Sequence, residues 1–370
     1  MSSSPSLSAW LRAVFTVGSH AGAHRVALRA GVSVAAPLLA VWALGHVEWT
    51  LYAAFGAFTA LYGRASATLP RLKMQASAAA IMMSSMLIGV AVASLPDREW
   101  VVVGVAAVWT MIVAAVSDVL RWHPPGPLFA VFALCAVASV PVTSNSFRDA
   151  LLVSGATAIF ALAVGCVGHV RPARRAAVAP AMAGPAAGGL TVRKRPGLRS
   201  RLHETFSRPG EWLLLARFGI AAAVAGSLST AFGIGHPYWA IVSAIVPIAS
   251  ANMSHSFVRA THRVLGTLAG LVLAWAILSL NPSGLTAIVT VVALQVAAEL
   301  LVGRNYGLAL VFVTPLALVM IELSHPVDTQ TLIADRAVET LLGTVVALGV
   351  VVAAWLVARR RTARRRTARR

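Results

Sequence analysis

Long uncharged apolar runs, separated by short polar breaks, are the feature that most constrains this chain. About twelve such runs of roughly 15 to 22 residues follow one another, close to the length that an α-helix needs to cross a bilayer. Lipid offers no hydrogen-bond partners to the backbone, so a chain of this kind crosses a membrane as helices. Only 12% of the residues are charged. The sequence therefore predicts an all-α, polytopic membrane protein of about 12 transmembrane helices.

The runs divide into two sets of six, and the second run of each set is short for a full span. The first set is 30–44, 49–62, 76–95, 100–120, 126–142 and 150–170. The second set is 212–232, 238–251, 264–280, 285–301, 306–321 and 336–358.

The two sets are related by an internal repeat, in which similar residues recur 181 to 190 positions apart. The pairs are Arg29 with Arg217, Trp49 with Trp239, Lys73 with Arg263, Asp118 with Glu299, Gly126 with Gly307, Arg148 with Arg336, and Gly155 with Gly343. A duplicated unit with an even number of helices gives parallel repeats, a pattern typical of transporters. We therefore expect two parallel six-helix repeats, 30–170 and 212–358.

Basic residues sort to one side of this arrangement. With the N-terminus in the cytoplasm, only Arg98, Arg148 and Arg336 of the 31 basic residues lie outside. Because cytoplasmic loops are rich in Lys and Arg, we expect both termini in the cytoplasm and the chain in the plasma (inner) membrane.

Three segments then lie on the cytoplasmic side. The N-terminal segment 1–29 has no signal-peptide pattern, and its Trp10, Leu11, Val14 and Phe15 suit a short interfacial helix. The linker 171–211 and the Arg-rich tail 359–370 are basic. We expect them to bind anionic lipid headgroups rather than nucleic acid.

Two motifs in the second set are similar to those of a known transporter family. They are Tyr238-Trp239-Ala240 and the run RVLGTLAG from Arg263 to Gly270, with a weaker echo from Arg336 to Thr344. On these residues, positions 25–360 resemble the FUSC family, the fusaric-acid-resistance and aromatic-acid-exporter group of integral membrane transporters.

This resemblance implies a secondary transporter of the inner membrane that exports organic, above all aromatic, carboxylate anions. Plant aluminium-activated malate transporters are related, so an anion channel is the rival. A membrane scaffold that maintains the envelope without transport is a third alternative. The chain could also form a homodimer.

Catalytic and cofactor motifs are absent from the sequence. There is no GxxxxGK[ST] loop, and Lys73 and Lys194 are the only lysines, so the chain has no Walker-type ATP site. Metalloprotease, redox and serine-hydrolase motifs are absent too. Cys135 and Cys166 lie in apolar runs as packing residues. We expect no enzyme activity, no cofactor and no metal site.

Charges at the ends of apolar helices are the candidates for the transport pathway, because each costs a few kcal/mol at bilayer depth. Lys73 and Arg263 would recruit the anion, or serve only as positive-inside anchors. Arg29 and Arg217 suit snorkelling anchors more than a pathway. The full set is Lys73, Arg263, Arg29, Arg217, Asp118, Glu299, Tyr238 and Trp239.

The repeated carboxylates have two interpretations. Asp118 would pair with Arg121, and Glu299 with Arg304 or a neighbouring helix. Alternatively, both are protonatable or gating sites. Proton antiport needs a titratable group that is accessible in turn from each side, and the positions of Asp118 and Glu299 near cytoplasmic helix ends hinder access from outside. We therefore expect export driven by the membrane potential.

Other features bear on packing. Arg336 and Glu339 would form a local pair at the outer surface, of little energetic value. Pro247 and Pro315 interrupt apolar helices and suit helices broken near a binding site. Small residues that let helices approach closely are Gly266, Thr267, Gly270, Gly343 and Thr344.

Overall fold

The computed structural model describes residues 7–19, 22–64, 66–167, 197–208, 210–250, 253–324 and 327–367. Within these ranges every regular element is a helix. The α-helices are α1 (Leu7–Phe15), α2 (Ala23–Ala43), α3 (Thr50–Ala57), α4 (Thr68–Ala93), α5 (Arg98–Leu120), α6 (Leu128–Ser139), α7 (Ser146–Cys166), α8 (Leu198–Phe206), α9 (Glu211–Ala231), α10 (Tyr238–Ile248), α11 (Met253–Leu278), α12 (Gly284–Val302), α13 (Tyr306–Ser324) and α14 (Thr329–Thr367).

Nine helices of the described chain are long and apolar enough to cross a membrane, namely α2, α4, α5, α7, α9, α11, α12, α13 and α14. The protein is therefore an all-helical, polytopic membrane protein, as the sequence predicted. All twelve predicted runs contain helix, but α3, α6 and α10 have only 8, 12 and 11 residues, fewer than a span requires.

The short helices lie inside the bundle. Every residue of α3 and of α10 is buried, and so are eight residues of α6. Such helices are apolar on all sides because they face protein all round. The unpaired backbone N–H and C=O groups at the ends of such short helices are tolerated at membrane depth only inside the protein or beside a cavity. These helices therefore mark the part of the interior where a site can form.

The two halves pack in the same way. In the first half α3 contacts α7, and α4 contacts α6 and α7; in the second, α10 contacts α14, and α11 contacts α13 and α14. Between the halves, α2 packs on α12 and α5 on α9. Buried positions of α2 recur in α9 188 residues later, and those of α5 recur in α12 181 residues later. This correspondence supports the predicted duplication.

A matched pair of glycines allows the contacts between the halves. A Cβ atom on Gly31 would lie 2.7 Å from Val296 of α12, and one on Gly219 would lie 2.5 Å from the sulfur of Met111 of α5. Both distances are shorter than van der Waals contact. The absence of a side chain at both positions therefore brings the two halves together.

The predicted equivalence of Lys73 and Arg263 is wrong. Lys73 is exposed on α4, whereas Arg263 is buried on α11 with 3% of its surface accessible. The buried positions of α4 match those of α11 at a separation of 181 residues, not 190. Nine residues are two and a half helical turns, so Lys73 lies on the opposite face. The counterpart of Arg263 in the first half is Met82.

The predicted pairing of Arg148 with Arg336 is wrong for the same reason. Arg148 is exposed beside Asp149, and Arg336 is 3% exposed. Buried positions of α7 and α14 match at a separation of 186 residues, so Ala150 is the residue of the first half that corresponds to Arg336. The first half therefore has no arginine at the positions equivalent to Arg263 and Arg336.

The basic segments are only partly described. The linker contains α8, whereas residues 168–196 lie outside the described residues. Helix α14 continues from the last apolar run into the Arg-rich tail as far as Thr367. Most of the linker that we expect to bind lipid headgroups therefore lies outside the described residues.

Candidate functional site

A cavity of about 190 Å³ lies where the short helices meet the second half. Its charged lining consists of Arg64, Arg259, Arg263, Arg336 and Glu299. Aromatic side chains also line it, namely Phe58, Tyr62, Phe129, Phe132 and Tyr306. Four guanidinium groups and one carboxylate give the cavity a strongly positive character among apolar walls.

Arg263 is held in the cavity wall by hydroxyl groups. Its Nε and Nη2 atoms donate to Ser243 Oγ at 3.2 and 3.1 Å, and Nη1 donates to the Tyr306 hydroxyl at 3.5 Å. No ion pair joins Arg263 to any carboxylate in the described part of the chain. The hydroxyls orient the guanidinium without neutralising its charge.

Arg336 lies against an aromatic ring. Its guanidinium carbon is 4.3 Å from the ring centroid of Trp239, which is fully buried on α10. Its Nε and Nη1 atoms have no hydrogen-bond partner among the described residues. A desolvated cation on a Trp ring gains about 2 kcal/mol, so Trp239 holds Arg336 in place, and no ion pair within 4 Å joins Arg336 to a carboxylate of the described chain.

The predicted surface pair of Arg336 with Glu339 is wrong. Glu339 is fully buried, and no ion pair joins it to Arg336. Helix α14 begins at Thr329, about two turns before Arg336, so neither residue lies at the end of the helix. One Glu339 oxygen accepts a hydrogen bond from Ser229 Oγ at 2.8 Å, and the other has no partner within the described chain.

The remaining charges of the cavity are paired or stacked. Arg64, from the first half, donates to Glu299 at 2.8 Å, and the Glu299 side chain is only 6% exposed. The partner of Glu299 is therefore not Arg304, whose Nε donates to the Gly18 carbonyl. Arg259 lies 5.3 Å from the ring centroid of Tyr306.

Asp118, which corresponds to Glu299 in the repeat, lies away from the cavity. It accepts hydrogen bonds from Arg208 and Thr205 at 3.1 and 3.0 Å, and Arg121 pairs with Glu204 instead. The pKa of Arg208 is raised by its hydrogen bond to Glu204 and then by the charge of Asp118. Asp118 thus attaches α8 to the end of α5.

The other predicted pathway residues lie outside the cavity lining. Arg29 and Arg217 are half-buried at matched positions of α2 and α9. Lys73 is exposed on α4. Tyr238 is buried and stacks on Phe132, whose ring does line the cavity. Of the eight predicted residues, only Arg263 and Glu299 line the cavity directly, and Trp239 acts through Arg336.

The small residues position the two buried arginines. A Cβ atom on Gly270 would lie 2.7 Å from Thr314 Cβ, and Gly266 faces the Gly307 carbonyl and Leu310. These contacts draw α11 against α13, beside Arg263. Gly343 similarly faces the Ala240 carbonyl and Ser243, which draws α14 against α10 beside Arg336. Thr267 and Thr344 are buried on the same two helices.

Sequence reasoning missed Arg64, Arg259 and Arg336 as members of one site. Arg336, Glu339, Thr340, Gly343 and Thr344 recur every three or four residues, so they form one small or polar face of an apolar helix. That face marks contact with protein rather than lipid, and it is the signal that could have located Arg336 in the interior.

Comparison with known proteins supports the predicted relationship. Residues 221–350 match a family model described as fusaric acid resistance protein-like. The resemblance to the FUSC family is thereby confirmed for the second half, which supplies Arg259, Arg263 and Arg336.

Two curated relatives are similar to part of the chain. It is 33% identical over 133 residues to YvaC, an uncharacterized membrane protein of Bacillus subtilis, a match that covers 36% of this chain and 21% of the relative. It is 28% identical over 140 residues to an uncharacterized protein of Synechocystis, covering 36% and 18%. The chain thus spans about a fifth of the length of these relatives. No solved structure matches the chain significantly.

Proposed function

We propose that this protein is a secondary transporter that binds small organic, above all aromatic, carboxylate anions in the cavity and exports them. The observation that carries the proposal is the pair of buried arginines, Arg263 and Arg336, without an ion-pair partner in the described chain. A charge in a membrane protein costs several kcal/mol unless it has a partner or a function. A carboxylate supplies the partner, because its two oxygens match the fork of guanidinium donors.

The rest of the lining favours an aromatic acid. Phe58, Phe129 and Phe132 offer apolar ring faces and edges, while the arginines provide the anion site. A cavity of about 190 Å³ is smaller than the roughly 300–1,000 Å³ typical of drug-sized ligands. It therefore suits an acid with a single ring.

The direction of transport is argued from charge. In the predicted orientation, Arg64 and Arg259 lie at the cytoplasmic ends of their segments, with Arg336 deeper in the membrane. A basic entrance on the cytoplasmic side would concentrate anions from the cell interior, and the inside-negative potential favours their exit. Plasma-membrane export with cytoplasmic termini is part of the same proposal.

A carrier fits this cavity better than a channel. Arg336 lines the cavity and stacks on Trp239, which is fully buried. An open anion pore needs a continuous hydrated path, and a fully desolvated Trp at this position interrupts one. The carrier has to move α10 or α14 to release the anion.

The proposal is tested in liposomes that contain the purified protein. Exchange of labelled benzoate is measured at equal pH, with benzamide as the neutral isostere and protein-free liposomes as the baseline. We expect saturable exchange that other aromatic acids inhibit and benzamide does not. A conductive flux that does not saturate would identify the channel instead, and no flux of any acid would contradict transport.

A further inference from the structure

We propose that His236 and Asp335 form the gate through which the anion leaves the cavity, on the side that the predicted orientation places outside. This inference rests on the proposed transport function and deepens it, because it names the contact that has to break before the anion is released. The gate is identified by comparing the two halves of the protein, which hold the same pair of residues in two different arrangements.

The pair is closed in the second half. His236 lies just before α10, and Asp335 lies near the start of α14. A carboxylate only accepts hydrogen bonds, so His236 Nδ1 donates to Asp335 Oδ2, at 3.0 Å. A Cβ atom on Gly235 would lie 2.7 Å from the same oxygen, so the backbone before α10 is drawn against the carboxylate. The contact therefore ties the start of α10 to α14.

The closed pair is connected to the anion site through Trp239. The rings of His236 and Trp239 stack, with their centroids 5.5 Å apart. The same indole lies 4.3 Å from the guanidinium carbon of Arg336, which follows Asp335 directly in α14. Release of the anion from Arg336 requires α10 or α14 to move, and the contact between His236 and Asp335 resists that movement.

The first half holds the same residues in an open arrangement. His46 corresponds to His236 at the 190-residue separation that relates the two tryptophans, and its ring stacks on Trp49 with centroids 3.9 Å apart. Asp149 corresponds to Asp335 at the 186-residue separation that relates α7 to α14. Within the described chain no ion pair joins His46 to Asp149. Both line a cavity of about 500 Å³ instead.

Two differences in sequence explain the two arrangements. Glu48 stands where the second half has Tyr238, and it accepts a hydrogen bond from the first-half histidine at 2.8 Å. Arg148 stands where the second half has Ala334, and it pairs with Asp149 at 3.2 Å. Each residue of the open pair thus has a local partner. Tyr238 and Ala334 offer no such partner, so the histidine and the aspartate of the second half bind each other.

The cavity in the first half indicates what opening produces. It lies at the starts of α3 and α7, which correspond to α10 and α14. When His236 and Asp335 separate, an equivalent cavity forms at the starts of α10 and α14. That cavity would adjoin Trp239 and Arg336, so it supplies the exit that the closed structure lacks.

The first test measures opening without measuring transport. Val313 lines the anion cavity, so Val313→Cys in a variant without Cys135 and Cys166 reports whether an impermeant thiol reagent enters from outside intact cells. Ala334 is exposed, and Ala334→Arg offers Asp335 the kind of local partner that the first half has. Loss of a hydrogen bond to a charged group favours the open form, so we expect the labelling rate to rise about tenfold.

A second variant and a matched control accompany this test. Asp335→Ala removes the carboxylate itself, and we expect the same rise in the labelling rate. Asp149→Ala removes the corresponding carboxylate of the first half, where no contact has to open, and we expect the rate to stay unchanged. Equal rates in the parent, Ala334→Arg and Asp335→Ala would overturn the gate. An equal rise in Asp149→Ala would overturn its assignment to the second half.

The second test locks the gate. His236→Cys with Asp335→Cys, in the background without native cysteines, places two thiols at the contact, and a short reagent that bridges thiols joins them reversibly. We expect bridging to abolish benzoate exchange in liposomes and a reductant to restore it, whereas the same treatment of His46→Cys with Asp149→Cys has no effect. Exchange that continues after complete bridging would overturn the gate. If the wild-type protein exchanges no acid, the transport function fails, and the labelling of Val313→Cys still decides whether the pair opens.

Discussion

Replacement of Arg263 by Gln is the sharpest test of the cavity as the anion site. The sequence paired Arg263 with Lys73, whereas the structure places Arg263 in the cavity and Lys73 on an exposed face of α4. Lys73→Gln is therefore a matched control: it removes one positive charge from the same predicted cytoplasmic region, but none from the cavity.

The expected magnitude follows from the contacts that the guanidinium would make. A hydrogen bond from a charged donor contributes about 1.5–3 kcal/mol, which corresponds to a factor of about 10–150 in affinity. Gln at this position keeps hydrogen-bonding capacity toward Ser243 but has no charge to offer a carboxylate. We expect Arg263→Gln to raise the apparent KM for benzoate by about this factor, and Lys73→Gln to leave it within about twofold.

The assay is the initial rate of benzoate exchange in liposomes over a range of concentrations. The melting temperature of each variant in detergent shows whether it is folded. A well-folded Arg263→Gln protein with the wild-type KM would refute the reasoning that places the anion beside Arg263. An equal rise for Lys73→Gln would show that overall charge, not the cavity, sets the affinity.

Two further predictions address packing and orientation. Gly343→Ala forces a Cβ against the Ala240 carbonyl and Ser243, so we expect a lower melting temperature and a free energy of unfolding reduced by about 1–3 kcal/mol. The control Gly349→Ala lies in open space on the same helix, and we expect it to leave stability unchanged or to raise it. In a variant without native cysteines, Ser144→Cys is expected to react with an impermeant thiol reagent on intact cells and Ser200→Cys is not; labelling of Ser200→Cys would reverse the orientation.

Much of the fold was predictable because it follows from the lengths of the apolar runs and from the separation between repeated residues. Apolar runs identified the helical segments, and matched residues such as Arg29 with Arg217 gave the repeat, since buried positions of α2 and α9 share that separation. The register of α4 was not predictable from matched charges. The loop before α4 differs in length from the loop before α11. A shift of nine residues is two and a half turns, so it places a residue on the opposite face of the helix.

The site was less predictable because it joins distant parts of the chain. The sequence motif predicts Arg263 as an embedded cation, but Arg64 reaches the cavity from the loop after α3, 235 residues away from its partner Glu299. The sequence predicts Arg336 at the surface because its apolar run begins there. The helix begins seven residues earlier, at Thr329, and that start is polar, so hydropathy alone does not reveal it.

The most direct measurement of the central claim is protection of a cavity cysteine by an aromatic acid. Val313 lines the same cavity as Arg263 and is half-buried, so Val313→Cys in the cysteine-free background reports on occupancy. We predict that benzoate slows its reaction with a small thiol reagent, with half-maximal protection at the KM of exchange, and that Ser144→Cys is unaffected. Benzoate exchange with no protection of Val313→Cys at any concentration would contradict the claim that this cavity holds the transported anion.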